Sequence, residues 1–195
     1  MAAGEGLRLR PLTERWPKPV LPIDGRPVIG WLARELAAAG LTRVTVVTGH
    51  LAEQVEGLLA DGRAFGLELR YARQPVADGS ADAVRRALAA GARAPLLVTA
   101  ADTLFRPGDV PRFAEEFTAS GAEGALAVRP DGGWAPLWGL SEAVTSVLDD
   151  LPGPPFELLA AIERAGVEIR RIEIGNTRDL TNPLDLVREN FSYLK

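Results

Sequence analysis

The sequence contains no cysteine. Disulfides, thiolate metal ligands and cysteine nucleophiles are therefore excluded, and a cytoplasmic location is the natural expectation. No stretch approaches the ~20 apolar residues of a membrane span. Charges and prolines begin within the first dozen residues, which disfavours a signal peptide. There is no long basic run and the formal net charge is −4, so a general nucleic-acid binder is disfavoured. Lysine is almost absent: of 22 basic side chains only Lys18 and Lys195 are lysines. A genome that favours arginine codons explains the bias, yet it leaves Lys18 as the only interior lysine. A site that needs a compact ammonium resists replacement by a planar guanidinium.

What is present is ordinary for a globular protein: 195 residues, 47% hydrophobic and 25% charged, enough for one domain with its own core. After a Gly- and Pro-rich start (1–24), helical periodicity runs from Pro27 to Ala39 and stops at Gly40. Arg43–Thr48 reads as a β-branched strand. A helix follows over Ala52–Leu59, with Val55, Leu58 and Leu59 inward. Further elements are a strand at Leu67–Tyr71, a helix at Asp82–Ala92, a buried strand at Pro95–Ala100, a helix at Val110–Ser120 and a strand at Gly124–Arg129. Beyond the turn at 130–133 the signal weakens: a short strand at Pro136–Gly139, a linker at Leu151–Pro155, a helix at Phe156–Ala165, a strand at Val167–Ile174 and a last helix from Pro183 to Phe191. Alternating strands and helices joined by short loops predict an α/β, Rossmann-like domain with a mostly parallel central sheet and helices on both faces. No composition shift divides the chain, so 1–195 reads as one domain.

Five segments carry candidate chemistry. Gly4 and Gly6, in the run from Ala2 to Thr13, let backbone N–H groups turn toward a phosphate, and Arg8 and Arg10 add charged donors. An ordinary turn is the competing reading. Around Lys18, Pro17, Pro19 and Pro22 stiffen the chain and suit a fixed ammonium, or a rigid connector with a solvent-facing lysine. Asp102 follows a buried strand, where open α/β sheets bind ligands, although it can equally cap a turn. Asp179 opens a segment through Leu186 in which it is either a ligand or a helix-start signal; Asp185 reads as first-turn charge. Gln74 precedes Gly79-Ser80, which either approaches a ligand or starts the next helix. His50 reads as structural, because transfer between phosphates needs no general base. Trp134 and Trp138 are packing residues or the wall of an acceptor pocket.

The run from Gly4 to Pro27, with its fixed spacing of Gly4, Gly6, Arg8, Pro11, Thr13, Lys18 and Gly25, resembles the signature of the sugar-phosphate nucleotidyltransferases, the NDP-sugar pyrophosphorylases. The resemblance implies transfer of a nucleoside monophosphate from an NTP to a sugar 1-phosphate, with pyrophosphate released. By resemblance, Ala3, Gly4, Gly6, Leu7 and Arg8 cradle the triphosphate, Arg8 contacts the departing pyrophosphate, and Lys18 contacts the phosphates at the reacting centre. Asp102 holds Mg²⁺, although Ala101 replaces the usual glycine before it. Asp179 is the second metal ligand, with Asn176 the alternative, and Gln74, Gly79 and Ser80 pack on the base. Arg8, Lys18 and Asp102 are the expected catalytic set. Residues 1–129 would bind the nucleotide, and 130–195 the acceptor and the second metal ligand. The expected partners are an NTP and a phosphorylated small molecule, with no nucleic acid and no membrane. The region from Arg129 to Glu173 is short, more like compact cytidylyl- or guanylyltransferases acting on molybdopterin- or phosphocholine-like acceptors. A degenerate nucleotide-binding or interaction protein is a third possibility. The family also carries a hydrophobic strand directly before the Gly-rich loop. That first strand is largely missing here, which predicts unpaired backbone groups on its neighbours and a loosely held loop at residues 2–10. An upstream start is favoured over a rearranged or borrowed strand.

Overall fold

A computed structural model describes residues 1–148 and 157–191. The Leu151–Pro155 linker and Phe156 lie outside the described residues. The chain opens with short 3-10 turns at Leu7–Leu9, Leu12–Glu14 and Lys18–Val20, then a small hairpin of β1 (Pro22–Ile23) and β2 (Arg26–Pro27). There follow α1 (Val28–Ala38), β3 (Arg43–Thr48), α2 (Ala52–Leu59), β4 (Glu68–Arg73), α3 (Ser80–Ala89), β5 (Leu96–Thr99), β6 (Thr103–Leu104), α4 (Asp109–Ser120), β7 (Gly124–Val128) and β8 (Trp134–Leu140). The chain continues through α5 (Glu142–Val147), α6 (Leu158–Arg164), β9 (Ile169–Glu173), β10 (Arg178–Asp179) and α7 (Pro183–Asn190). Helix α5 gave no clear periodic signal because it is short. Strand β8 is longer than expected because its bulged pairing with β7 accommodates Pro136.

The fold is α/β and Rossmann-like. β3 pairs parallel with β4, and a second ladder runs β5-β8-β7-β9. β8 is antiparallel to both β5 and β7, while β7 and β9 are parallel, so β8 is the reversed strand in that ladder. Because β5 and β8 pair, the ladder crosses the 129/130 boundary. Helices cover both faces. α1, α2 and α4 bury Leu32, Val55 and Phe113 in one cluster, and α3, α5 and α6 bury Val84, Val144 and Ile162 in another. On α2, Val55 and Leu59 are buried as expected but Leu58 is 40% exposed. It lies off the narrow stripe that a two-turn helix can bury. Among the described residues no helix is long and apolar enough to cross a membrane.

The two ladders are separate between β3 and β5, and residues 1–3 join them at one end. Ala2 N–H donates to Val47 O at 2.7 Å, Met1 amino nitrogen to Thr99 O at 2.7 Å, and Ala101 N–H to Met1 O at 2.9 Å. Behind this junction lies an apolar cavity of about 370 Å³, walled by α1, α3 and the facing edges of β3 and β5. The expected interruption of the sheet is thus present. The loop at 2–10 is less loose than expected: Leu9 is fully buried, and its N–H donates to Gly6 O at 2.8 Å.

Candidate functional site

The apolar strand β5 delivers Asp102 to the carboxyl edge of the sheet, the position where open α/β folds hold ligands. β6 then pairs antiparallel with β10, setting Asp179 opposite Thr103, so the two candidate carboxylates lie on adjoining segments. Asp179 Oδ2 accepts a hydrogen bond from Thr177 Oγ1 at 2.9 Å, whereas its Oδ1 is buried without a partner among the described residues. An orphaned, buried carboxylate oxygen is costly unless something meets it. A hard divalent cation bound by carboxylate oxygens fits that need, and Mg²⁺ takes one or two protein carboxylates and keeps several waters. Among the described residues no third acidic or imidazole group joins the pair. Asn176, the alternative ligand, is exposed on the preceding loop. Asp185 caps α7 with Asn182, accepting from the N–H groups of Thr181 at 2.9 Å and Asn182 at 2.8 Å. Burial pushes the Asp185 carboxyl up, but those N–H groups hold it below the usual carboxylate range.

From the opposite side comes Lys18, on a 3-10 turn flanked by the buried Pro17 and Pro19. Its Nζ lies 3.1 Å from Asp102 Oδ2, in a part-buried ion pair. The lone interior lysine is therefore turned inward, and the solvent-facing alternative does not hold. The Gly-rich loop completes this side. The backbone N–H groups from Ala3 through Arg8 donate to no described residue. Gly6 adopts φ +65, the left-handed geometry that turns successive N–H groups to one side. A Cβ at Gly6 would lie 2.8 Å from Thr13 Cγ2 and 3.0 Å from Lys18 Cγ, so only glycine lets the loop and the lysine stem pass this closely. Arg8 is exposed, with no hydrogen bond or ion pair to a described residue. Gly4, Gly6, Lys18 and Asp102, with Met1, Ala2 and Pro19, line a cavity of about 150 Å³. The larger cavity between β3 and β5 has Arg43, Glu68, Arg70 and Arg93 in its lining but none of the candidate site residues, whereas the smaller one gathers Gly4, Gly6, Lys18 and Asp102.

The expected base-contacting residues are arranged less openly. Gln74 is 4% exposed and spends its amide on Gly79 O at 3.0 Å and Asp82 Oδ2 at 2.8 Å, bracing the loop before α3. Ser80 opens α3, and its hydroxyl donates to Glu157 Oε2 at 2.9 Å while accepting from Leu158 N–H at 2.7 Å. That hydroxyl ties α3 to the start of α6, leaving the backbone of Gly79 and Ser80 as the accessible part. Trp134 is 54% exposed at the start of β8, with its ring 6.0 Å from that of the buried Trp138. Ala100 N–H donates to Pro136 O at 3.2 Å, which places this end of β8 beside the segment leading to Asp102.

Thr13 and Gly49 received no role from the sequence, and His50 only a structural one. Thr13 is 1% exposed and donates from Oγ1 to Gly6 O at 2.9 Å. His50 Nε2 lies 2.6 Å from Thr13 O. A Cβ on Gly49 would meet Ala3 O at 2.7 Å and Gln74 O at 2.8 Å. Their signal was positional: Gly49 and His50 directly follow the end of β3, and Thr13 lies in the run that begins with the Gly-rich loop.

A Gly-rich loop with N–H groups unpaired among the described residues, an inward lysine and two carboxylates on adjoining segments of a Rossmann-like fold suit the handling of a nucleotide. Residues 1–133 match the nucleotidyl transferase family, and the chain belongs to it. It is 38% identical over 105 residues to an N-acetylmuramate alpha-1-phosphate uridylyltransferase of Neisseria meningitidis serogroup B, covering 53% of this chain and 46% of that protein. It is 30% identical over 153 residues to a CMP-5'-(3-aminopropyl)phosphonate synthase of Streptomyces rubellomurinus, covering 77% of this chain and 24% of that protein. The chain thus spans less than half the length of these relatives. Among solved structures, a Bacillus anthracis protein assigned as a glucose-1-phosphate thymidylyltransferase, in complex with sucrose, superposes with a TM-score of 0.87 at 21% identity, covering 98% of this chain and 92% of that one. A UDP-glucose pyrophosphorylase complexed with UDP-glucose gives a TM-score of 0.81 at 18% identity, covering 99% and 96%.

Proposed function

We propose that this chain transfers a nucleoside monophosphate from an NTP to a sugar 1-phosphate. The observation that carries the reading is the meeting of Gly4 and Gly6, from a loop whose N–H groups are unpaired among the described residues, with Lys18 and Asp102 around one cavity. An oxygen of the acceptor phosphate forms a bond to the α-phosphorus of the NTP. The bond from that phosphorus to the α–β bridging oxygen breaks, and its electron pair leaves with pyrophosphate. The attacking oxygen already carries negative charge, so no proton need be removed, and the protein's work is alignment and cancellation of repulsion. The loop N–H groups hold the triphosphate. Lys18 faces charge at the α-phosphate, and the guanidinium of Arg8, exposed and without a partner among the described residues, is available for the pyrophosphate. Asp102 and Asp179 would hold Mg²⁺, which neutralises phosphate charge when bound. Gln74, through the Gly79-Ser80 backbone, shapes the seat of the base. Trp134 presents an aromatic face on the acceptor side.

A second reading has its own support. The relative that covers 77% of this chain is named as a CMP-phosphonate synthase, and a 2-aminoethylphosphonate cytidylyltransferase of Lancefieldella rimae is 46% identical over 54 residues. Cytidylyl transfer to a small phosphonate or phosphate monoester uses the same site with a smaller acceptor. One experiment separates the readings: each of the common NTPs is paired with sugar 1-phosphates, phosphocholine and 2-aminoethylphosphonate, with Mg²⁺, and pyrophosphate release is followed. Release with UTP, dTTP or GTP and a sugar 1-phosphate is expected. Release only with CTP and a phosphonate favours the second reading, and no release from any pair removes both.

A further inference from the structure

The end of β3 reaches the reacting centre through a chain of contacts that begins at His50. The Thr13 carbonyl can only accept, so the ring nitrogen 2.6 Å away carries the proton, and His50 Nε2–H donates to Thr13 O. Thr13 in turn donates from its hydroxyl to Gly6 O at 2.9 Å. Its methyl and the Lys18 stem both pack against the position that a Cβ on Gly6 would take. The ammonium at the end of that stem meets Asp102. His50 N–H also donates to Ala3 O at 3.4 Å, and Gln54 Nε2 donates to Arg15 O at 2.7 Å. The residues that follow β3 therefore grip the Gly-rich loop before its first glycine and again beyond it.

We propose that His50 is a positioning residue that, through Thr13, sets the shape of the Ala3–Arg8 loop for an incoming triphosphate. The inference rests on the nucleotidyl-transfer reading but assigns His50 a role distinct from acid–base chemistry. Loss of the brace does not remove a group that touches the reacting atoms. It lets Gly6 leave its left-handed conformation, and the row of N–H groups that must point together no longer does so before the ligand arrives. The cost falls on NTP affinity, because the ordering is then done at the moment of binding. A neutral side chain that donates at the same place restores the brace, so glutamine can replace histidine where alanine cannot.

The test compares His50→Ala, His50→Gln, Thr13→Val and the double variant His50→Ala/Thr13→Val with the unaltered chain. NTP binding, steady-state kinetics and hydrogen exchange of the Leu9 amide, which donates to Gly6 O, are measured on each. His50→Ala and Thr13→Val should each weaken NTP binding and raise its KM by about tenfold, the loss of one part-buried hydrogen bond, with a much smaller fall in kcat. The double variant should be little worse than either single one, because both break one chain. His50→Gln should recover most of the affinity, and Leu9 exchange should accelerate in the alanine and valine variants. The pH profile of kcat should keep its shape in His50→Ala. Unchanged affinity and unchanged Leu9 exchange, additive losses in the double variant, or loss of one limb of the pH profile would each overturn the proposal. If the unaltered chain binds no NTP while Leu9 exchange still responds to His50→Ala, the nucleotidyl-transfer reading fails and the brace stands.

Discussion

Lys18 Nζ and Asp102 Oδ2, 84 positions apart in the chain, lie 3.1 Å from each other. A part-exposed ion pair of this kind adds little to stability, at most about 1 kcal/mol. It places a cation and a candidate metal ligand on the same few ångströms of space, and the predictions for the site follow from it.

Asp102→Asn should reduce turnover at least about a hundredfold, the scale of losing a metal-bound electrostatic clamp, while Tm changes by only a few degrees. Asp179→Asn should weaken metal affinity, because it removes charge beside the buried, unpartnered Oδ1. Titration of Mg²⁺ against each variant, followed by calorimetry and by pyrophosphate release, reads both effects. Full activity in excess chelator would sink the metal role.

Lys18→Arg should not rescue Lys18→Ala. The lysine stem runs along Gly6, with Cγ and Cε 3.0 and 3.3 Å from where a Cβ would stand, so the passage suits a narrow chain ending in a point charge. A guanidinium is planar and broader. Single-turnover rates of the three proteins provide the check, and comparable kcat for Lys18→Arg and the unaltered chain refutes the prediction.

The Met1 amino group should make stability depend on pH. Burial lowers its pKa from 8.0 to about 6, partly offset by the nearby Asp102 charge. The folded-state value is the lower one, so between pH 6 and 8 the unfolded chain binds more protons and stability rises with pH. Below pH 6 the amine is charged in both states and the penalty is at its full size. The two limits should differ by roughly 2–3 kcal/mol. Denaturant unfolding across pH 5.5–8.5 measures the slope, and Nα-acetylation should remove this component. A slope untouched by acetylation shows that another group is responsible.

The cavity between β3 and β5 should accept one apolar strand. Val47 O and Thr99 O already face into this gap, as their bonds to Ala2 and Met1 show. Backbone groups alternate along a strand, so Thr45 and Leu97 present the next acceptors on the two edges. α1 and α3 close the faces with Leu32, Leu36, Val84 and Ala87. Such a strand is buried on both sides and is apolar throughout. A chain with about five Val/Ile/Leu residues, an ordinary strand length, joined ahead of Met1 should melt at least about 5 °C higher than one with a Gly/Ser segment of equal length. Its Thr45 and Leu97 amides should also exchange more slowly. Equal melting temperatures and equal exchange would show that the gap is no seat for a strand.

Much of the fold was legible because local chemistry and tertiary structure agree. Arg43–Thr48 is β-branched and apolar and forms β3 over those same residues. Gly40 follows α1, and the Asn182–Asp185 capping box starts α7. Strand β8 was only half legible, since Pro136 and Gly139 mask a strand that pairing on both sides sustains. Its reversed direction is a property of its neighbours, which no local pattern encodes. Leu58 was misplaced because apolar spacing on a short helix marks more positions than the core can cover.

For the site, the sequence by itself determined the parts that depend on residue type and local spacing. These are glycines that let the loop carry exposed N–H groups, prolines that stiffen the turn holding a single lysine, and an aspartate at the end of an apolar strand. Only the tertiary structure decided which of them meet. It turned Lys18 onto Asp102 and set Asp179 across the ladder from Thr103 with one oxygen unsatisfied. It committed the Ser80 hydroxyl to α6 and put His50 behind Thr13. Those outcomes depend on how segments far apart in sequence cross at the edge of a twisted sheet. Distances of about 3 Å between such segments are set by the packing of the whole core, and no window of neighbouring residues contains that information.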